Sequence, residues 1–183
     1  MTSIRRIQKE LSDWARSPVP GVTINVDDTN LYRWEVTIKG PEDTVYAGGT
    51  FGVLLVLPDT YPFRPPAVNF VTRIYHPNIT NDSIGNVCLS LLKAENWKPP
   101  TQIRSVLESL RNLLVEPQPD DPLEARIADE YRNERKEFEK NARSYVQRYA
   151  KGPVKFESAA DGEGENKGAA SASGSNAGAP AGQ

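Results

Sequence analysis

The chain has one cysteine, one histidine and one methionine in 183 residues, and the first two scarcities exclude a good deal. A single cysteine cannot close an internal disulfide. One cysteine and one histidine cannot supply the four ligands of a structural zinc site, so no metal and no cofactor are expected, and a free thiol suits a reducing compartment, cytosol or nucleus. Excess charge of one sign is also missing. The 22 basic and 24 acidic residues leave a formal charge of −2, and Asp161, Glu163 and Glu165 against Lys167 account for all of it. The body of the chain is therefore formally neutral, and nothing favours nucleic acid as a partner. No run approaches the ~18 apolar residues of a membrane span, and the first residues are polar every few positions, unlike the core of a signal peptide. A monomer that works away from membranes is the expectation.

Hydrophobic periodicity supplies the frame. Ile4, Ile7, Leu11 and Trp14 recur at helical spacing between residue 3 and about residue 16, with Arg5, Arg6, Lys9 and Asp13 on the other sides. This is a short amphipathic helix that stops near Pro18, with Ser3 as a candidate cap. Periodicity alone makes Arg5 and Arg6 part of a solvated face. Val22, Ile24 and Val26 alternate as in a strand, as do Tyr32, Trp34, Val36 and Ile38, and Phe51 to Leu57 is nearly continuous, as in a strand covered on both faces. A fourth strand, Ala67 to Phe70, is entered through Tyr61-Pro62-Phe63-Arg64-Pro65-Pro66, whose prolines lack donors and place Phe63 near the apex of a surface loop. Ile103, Val106, Leu107, Leu110, Leu113 and Leu114 then form the apolar stripe of a central packing helix. Asp121-Pro122-Leu123-Glu124 fits a helix start, with Asp121 as N-cap and Glu124 at the capping-box position, and a last helix follows from about Asn133 to Tyr149. One helix, a four-stranded antiparallel meander and three helices make an α+β domain over residues 1–152. Residues 153–183 are expected to be a disordered tail, which from Ser158 onward is Ala, Gly, Ser, Asn and a few charges.

The stretch Tyr75 to Pro100 holds both the only histidine and the only cysteine, and it has neither a sustained helical nor a sustained strand period. Long ordered loops inside compact domains are uncommon and usually functional. Taken alone, Cys88 between Val87 and Leu89 reads as a buried inert thiol. His76, Asn78, Gly85, Asn86 and Ser90 around it are too polar for a core strand. A cysteine hydrolase would need His76 to take the thiol proton, yet Pro77 makes His76 read more naturally as a turn residue whose imidazole holds the loop. A phosphatase-type cradle would want an arginine soon after the cysteine, where Lys93 and Ala94 stand instead.

Five motifs in matching order, Tyr61-Pro62-Phe63-x-Pro65-Pro66, His76-Pro77-Asn78, Gly85-Asn86-Val87-Cys88-Leu89, Trp97-x-Pro99 and Pro119-Asp120-Asp121-Pro122-Leu123, closely resemble those of the ubiquitin-conjugating enzymes over residues 3 to 150. Against the commonest family spacing, a couple of residues are added between Asn78 and Cys88 and one between Cys88 and Trp97. The resemblance implies that Cys88 accepts ubiquitin as a thioester from an activating enzyme and yields it to lysine amines of protein substrates, with the help of ubiquitin ligases. A thiol near pKa 8.5 is a few per cent thiolate at neutral pH, enough for exchange between thioesters without a dedicated base. By the same resemblance Asn78 either donates to the oxyanion or holds the loop that does, and Asp121 orients and deprotonates the acceptor amine. Ser90 lies where many relatives carry an acidic residue. Arg5, Arg6, Phe63, Pro99 and Pro100 match ligase-binding positions, which reverses the reading of the two arginines as merely solvated. Ser105, Glu108 and Asn112 would contact the bound ubiquitin, Thr23 would meet a second one on the strand face, and His76, Pro77 and Trp97 would shape the loop. Two other readings share this fold: transfer of another ubiquitin-like modifier, and an inactive ubiquitin-binding scaffold, against which Cys88, Asn78 and Asp121 argue.

Overall fold

The structure, a computed structural model, describes residues 2–157. Helix α1 (Ser3–Arg16) leads into strands β1 (Val22–Val26), β2 (Arg33–Lys39), β3 (Thr50–Val56) and β4 (Ala67–Phe70), followed by helices α2 (Ile103–Val115), α3 (Ala125–Asn133) and α4 (Arg135–Tyr149). The strands form one antiparallel sheet in chain order, giving the α+β arrangement that the grouped strand and helix periods imply. Register follows from burial. Trp34, Val36 and Ile38 stand opposite Leu55, Val53 and Phe51, and Val53 and Leu55 in turn face Phe70 and Val68, so the buried residues of three strands share one face. Ile103, Val106, Leu107, Leu110, Leu113 and Leu114 of α2 join the same core. Each such side chain contributes roughly 1.5–3 kcal/mol through burial. These six make α2 the fixed wall against which the loop carrying Cys88 is built.

Three local expectations are corrected. The stripe expected along α1 is not wholly apolar: Ile4 is exposed and Leu11 half-buried, while Glu10 lies inside with Ile7 and Trp14. Its carboxylate accepts from the Arg6 Nε at 2.5 Å, the Tyr61 hydroxyl at 2.6 Å and the Ile103 amide at 2.7 Å, so it is fully bonded. The last of these satisfies an otherwise orphan donor at the start of α2. The cap of α1 is Thr2, whose hydroxyl accepts from the Arg5 amide, whereas Ser3 donates to the carbonyls of Asp59 and Tyr61. Asp121 does not cap α3. That helix starts at Ala125, because the amides of Leu123 and Glu124 are taken by the Pro77 carbonyl at 2.9 and 3.1 Å, and the Glu124 carboxylate accepts instead from the Asn81 amide at 2.7 Å.

The outer face of the sheet carries a further correction. Residues 153–157, placed with the tail by their sequence, continue the folded body. A Cβ at Gly52 would meet Val154 at 2.2 Å and Val71 at 2.5 Å, and the Glu157 carbonyl accepts from the Arg33 guanidinium at 2.6 Å. Val154 and Phe156, both half-buried, supply the apolar contacts that hold this short segment. The low-complexity stretch from Ser158 onward lies outside the described residues.

Candidate active site

His76 sits at the root of the loop and is fully buried. Its Nε2 donates to the Leu113 carbonyl of α2 at 2.8 Å and its Nδ1 accepts the Asn78 amide at 2.9 Å, so the two neighbours select the tautomer. The Tyr46 ring stacks on the imidazole, and the Tyr46 hydroxyl donates to the Tyr75 carbonyl at 2.6 Å. Burial lowers the pKa of His76 to about 4, and the imidazole stays neutral and occupied. It has no part in activating Cys88, which disposes of the cysteine hydrolase.

Asn78 is also buried, and every polar atom of its amide is engaged. Nδ2 donates to the carbonyls of Gln118 and Asp121 at 2.8 and 2.9 Å, and Oδ1 accepts from the Gln118 amide at 2.8 Å. The Asn78 backbone carbonyl accepts from the Cys88 amide at 2.8 Å. One side chain and one carbonyl thus fasten residues 118–121 to the segment that carries the sulfur. Of the two roles that the motif suggested for Asn78, this geometry favours holding the loop, because both amide hydrogens are already committed.

Residues 80–85, before Cys88, form a turn that closes on itself. The Asp82 carboxylate accepts from the Thr80 hydroxyl and from the amides of Ile84 and Gly85, each at 2.9 Å; the Gly85 amide bond leads the causes that lower its pKa. Gly85 has φ +64°, and a Cβ there would lie 2.0 Å from the Phe70 carbonyl, so only glycine fits. The Phe70 amide donates to the Gly85 carbonyl at 2.8 Å, tying the turn to β4. Cys88 is presented from this support, and a single tight helical turn, Ser90–Leu92, follows it.

The Cys88 side chain is half-buried, with its sulfur 3.4 Å from the Asp121 Oδ2, which accepts the thiol hydrogen. The Lys93 ammonium donates to the same oxygen. Desolvation, then the Asp121 carboxylate, push the thiol pKa up, and Lys93 opposes them. The hydrogen bond from Lys93 leads the causes that lower the pKa of Asp121. Beside the sulfur runs an open groove lined by Leu89, Ser109, Asn112, Leu113, Gln118 and Asp121, among others. Of the three residues on α2 that the resemblance singles out, Asn112 lines this groove. Ser105 and Glu108 stand on the same helix outside the groove, with Glu108 paired to Arg104 at 2.9 Å. Sequence reasoning misses Ser109, although it shares a helical face with Ser105 and Asn112, four residues after one and three before the other.

The remaining candidates collect on a different surface. Phe63 is 74% exposed, and Arg5, Pro99 and Pro100 are exposed. Arg6 is half-buried and donates to the Thr101 carbonyl at 2.9 Å as well as to Glu10. The buried Trp97 donates its indole N–H to the Pro62 carbonyl at 2.8 Å. Through Arg6, Trp97 and Glu10, the first helix, the proline loop and the residues before α2 form one connected surface. Thr23 is exposed on the outer face of the sheet, opposite Thr37. Among the described residues, no cluster of three or more His, Cys, Asp or Glu could hold a metal ion.

Comparison with known proteins bears on what this arrangement does. The sequence model described as ubiquitin-conjugating enzyme matches residues 6–146. A curated relative, ubiquitin-conjugating enzyme E2 14 of Schizosaccharomyces pombe (strain 972 / ATCC 24843), is 53% identical over 150 residues, which cover 82% of this chain and 96% of that protein.

Proposed function

The chain belongs to the family of ubiquitin-conjugating enzymes, transferases that act through a cysteine thioester, and from that premise we propose that Cys88 is the sulfur that carries ubiquitin. The observation that carries the assignment is that the chain's only thiol stands at the mouth of an open groove, bonded to an exposed carboxylate. In charging, the Cys88 thiolate attacks the thioester carbonyl held by the activating enzyme. A new C–S bond forms, the old one breaks, and the departing thiolate takes up a proton. In transfer, an acceptor lysine must first lose a proton, since its amine has a reference pKa near 10.4. Asp121 receives the ammonium, takes one of its protons and holds the freed amine at the carbonyl carbon. The C–N bond then forms, the C–S bond breaks, and the nitrogen's remaining extra proton passes to the departing Cys88 thiolate. Asn78 keeps residues 118–121 beside the sulfur throughout, and the groove past Asn112 and Ser109 takes the extended tail of the bound modifier.

Family membership brings ubiquitin, an activating enzyme and ligases as partners in general. We assign ligase contact to the surface of Arg5, Phe63, Pro99 and Pro100, with Arg6 as its internal tie. An aromatic ring left 74% exposed beside exposed prolines suits a partner's apolar pocket. Donor contact falls to Ser105, Glu108 and Asn112 on α2, joined by Ser109 in the groove, and the outer face at Thr23 is the site for a second, noncovalent ubiquitin. One copy of the chain suffices for this chemistry, and a working thiol suits the cytosol or nucleus. With Phe63→Ala, the stimulation of discharge by a ligase should fall about tenfold or more, the size expected of an aromatic anchor. Unchanged stimulation with several ligases would remove Phe63 from the surface.

A further inference from the structure

Lys93 has no part in the chemistry assigned so far, yet its ammonium and the Cys88 thiol share one oxygen of Asp121. Its backbone is anchored on both sides. The Lys93 amide donates to the Ser90 carbonyl at 3.2 Å, and its own carbonyl accepts from the amides of Asn96 and Trp97, both at 2.9 Å. Trp97 is itself pinned to Pro62. The stem of Lys93 therefore starts from a fixed point and ends on Asp121, within two hydrogen bonds of the sulfur. An acceptor lysine has to bring the same chemical group to the same carboxylate.

We propose that Lys93 is a positioning residue that keeps the acceptor's place: its ammonium occupies Asp121 until an incoming lysine displaces it, and it offsets the carboxylate's hold on the thiol while Cys88 is being charged. The inference rests on the roles proposed for Cys88 and Asp121. It has two consequences of opposite sign. Before charging, the thiol must ionise next to a carboxylate, and a cation on that carboxylate helps, so losing Lys93 slows charging. Once sulfur is acylated it has no hydrogen to donate, and Lys93 is the group an acceptor ammonium must compete with. Losing it then eases acceptor binding. The contact with Asp121 also raises the pKa of Lys93, as a carboxylate does for an ammonium beside it.

The test uses the full chain, with activating enzyme, ATP and ubiquitin, and free lysine as acceptor in the absence of a ligase. Lys93→Gln should charge about two- to fivefold more slowly and show an apparent KM for free lysine about two- to fivefold lower, the span that an exposed ion pair supplies. Lys93→Arg, which keeps the charge, should bring both back toward the original values. In an Asp121→Asn background the Gln substitution should no longer lower KM, because the oxygen for which the two amines compete has lost its charge. Charging and KM that are both unchanged, that move so that both steps slow together, or a KM effect that persists in the Asp121→Asn background would overturn the proposal. Failure of the unsubstituted chain to charge, or full transfer by Asp121→Asn alone, would instead overturn the reading of Cys88 or of Asp121.

Discussion

Cys88→Ala is expected to yield no ubiquitin conjugate of any kind that a thiol reductant can release. The loss is total, not graded, because the sequence holds no second cysteine and because Ser90, exposed two residues on, offers only a hydroxyl far too weakly acidic to exchange with a thioester. The fold should be little affected. The sulfur is half-buried at the edge of a groove, its backbone amide remains bonded to the Asn78 carbonyl, and the Lys93–Asp121 pair survives without it. Charging with activating enzyme and ATP, resolved with and without reductant, reads the outcome, and thermal unfolding of the same sample shows whether the variant is folded. A reductant-labile conjugate of Cys88→Ala would mean that the assignment is wrong.

Asn78→Ala should charge but transfer to lysine about a hundredfold more slowly. The substitution leaves the Gln118 and Asp121 carbonyls and the Gln118 amide without the partners they have now, at a cost of about 1–3 kcal/mol for each group left unpaired away from water. Residues 118–121 would loosen, and with them the carboxylate that receives the acceptor. A misplacement of about 1 Å near reacting atoms is enough to cost roughly 10²-fold. Charging depends mainly on the thiol and its exposure and is therefore spared. Single-turnover discharge to free lysine measures the rate, and hydrogen exchange at the Gln118 amide should quicken in parallel if Asn78 works by holding. Transfer at the unsubstituted rate would show that the segment needs no such tie.

What can be read from residues alone divides along physical lines. Elements whose pattern is local and repetitive are plain. The alternation of β2, the wide stripe of α2 and the proline-bounded apex at Phe63 each state their own geometry within a few residues. Features set by a distant partner are not. Nothing near Glu10 says that its carboxylate is wanted by an amide at Ile103 and a hydroxyl at Tyr61, so a charged residue on an apolar face cannot be told from the edge of the stripe. Asp121 has the local chemistry of a cap, and only the approach of the Pro77 carbonyl to Leu123 and Glu124 takes that role away. The same holds for Val154 and Phe156, two apolar residues in a polar setting that find the outer face at Gly52. The site is legible in kind through its motifs, since no spacing argument by itself brings residues 78, 88 and 121 together. Lys93 escapes because a lysine after a turn reads as solvent-facing until the carboxylate opposite it is seen.

The most direct test of the account charges the unsubstituted chain with activating enzyme, ATP and ubiquitin, weighs the intact product, and then treats it with a thiol reductant. The account predicts the mass of one ubiquitin joined through Cys88 and its complete loss on reduction. A product that keeps the added mass after reduction, or whose Cys88 is still open to alkylation while ubiquitin is attached, would contradict it.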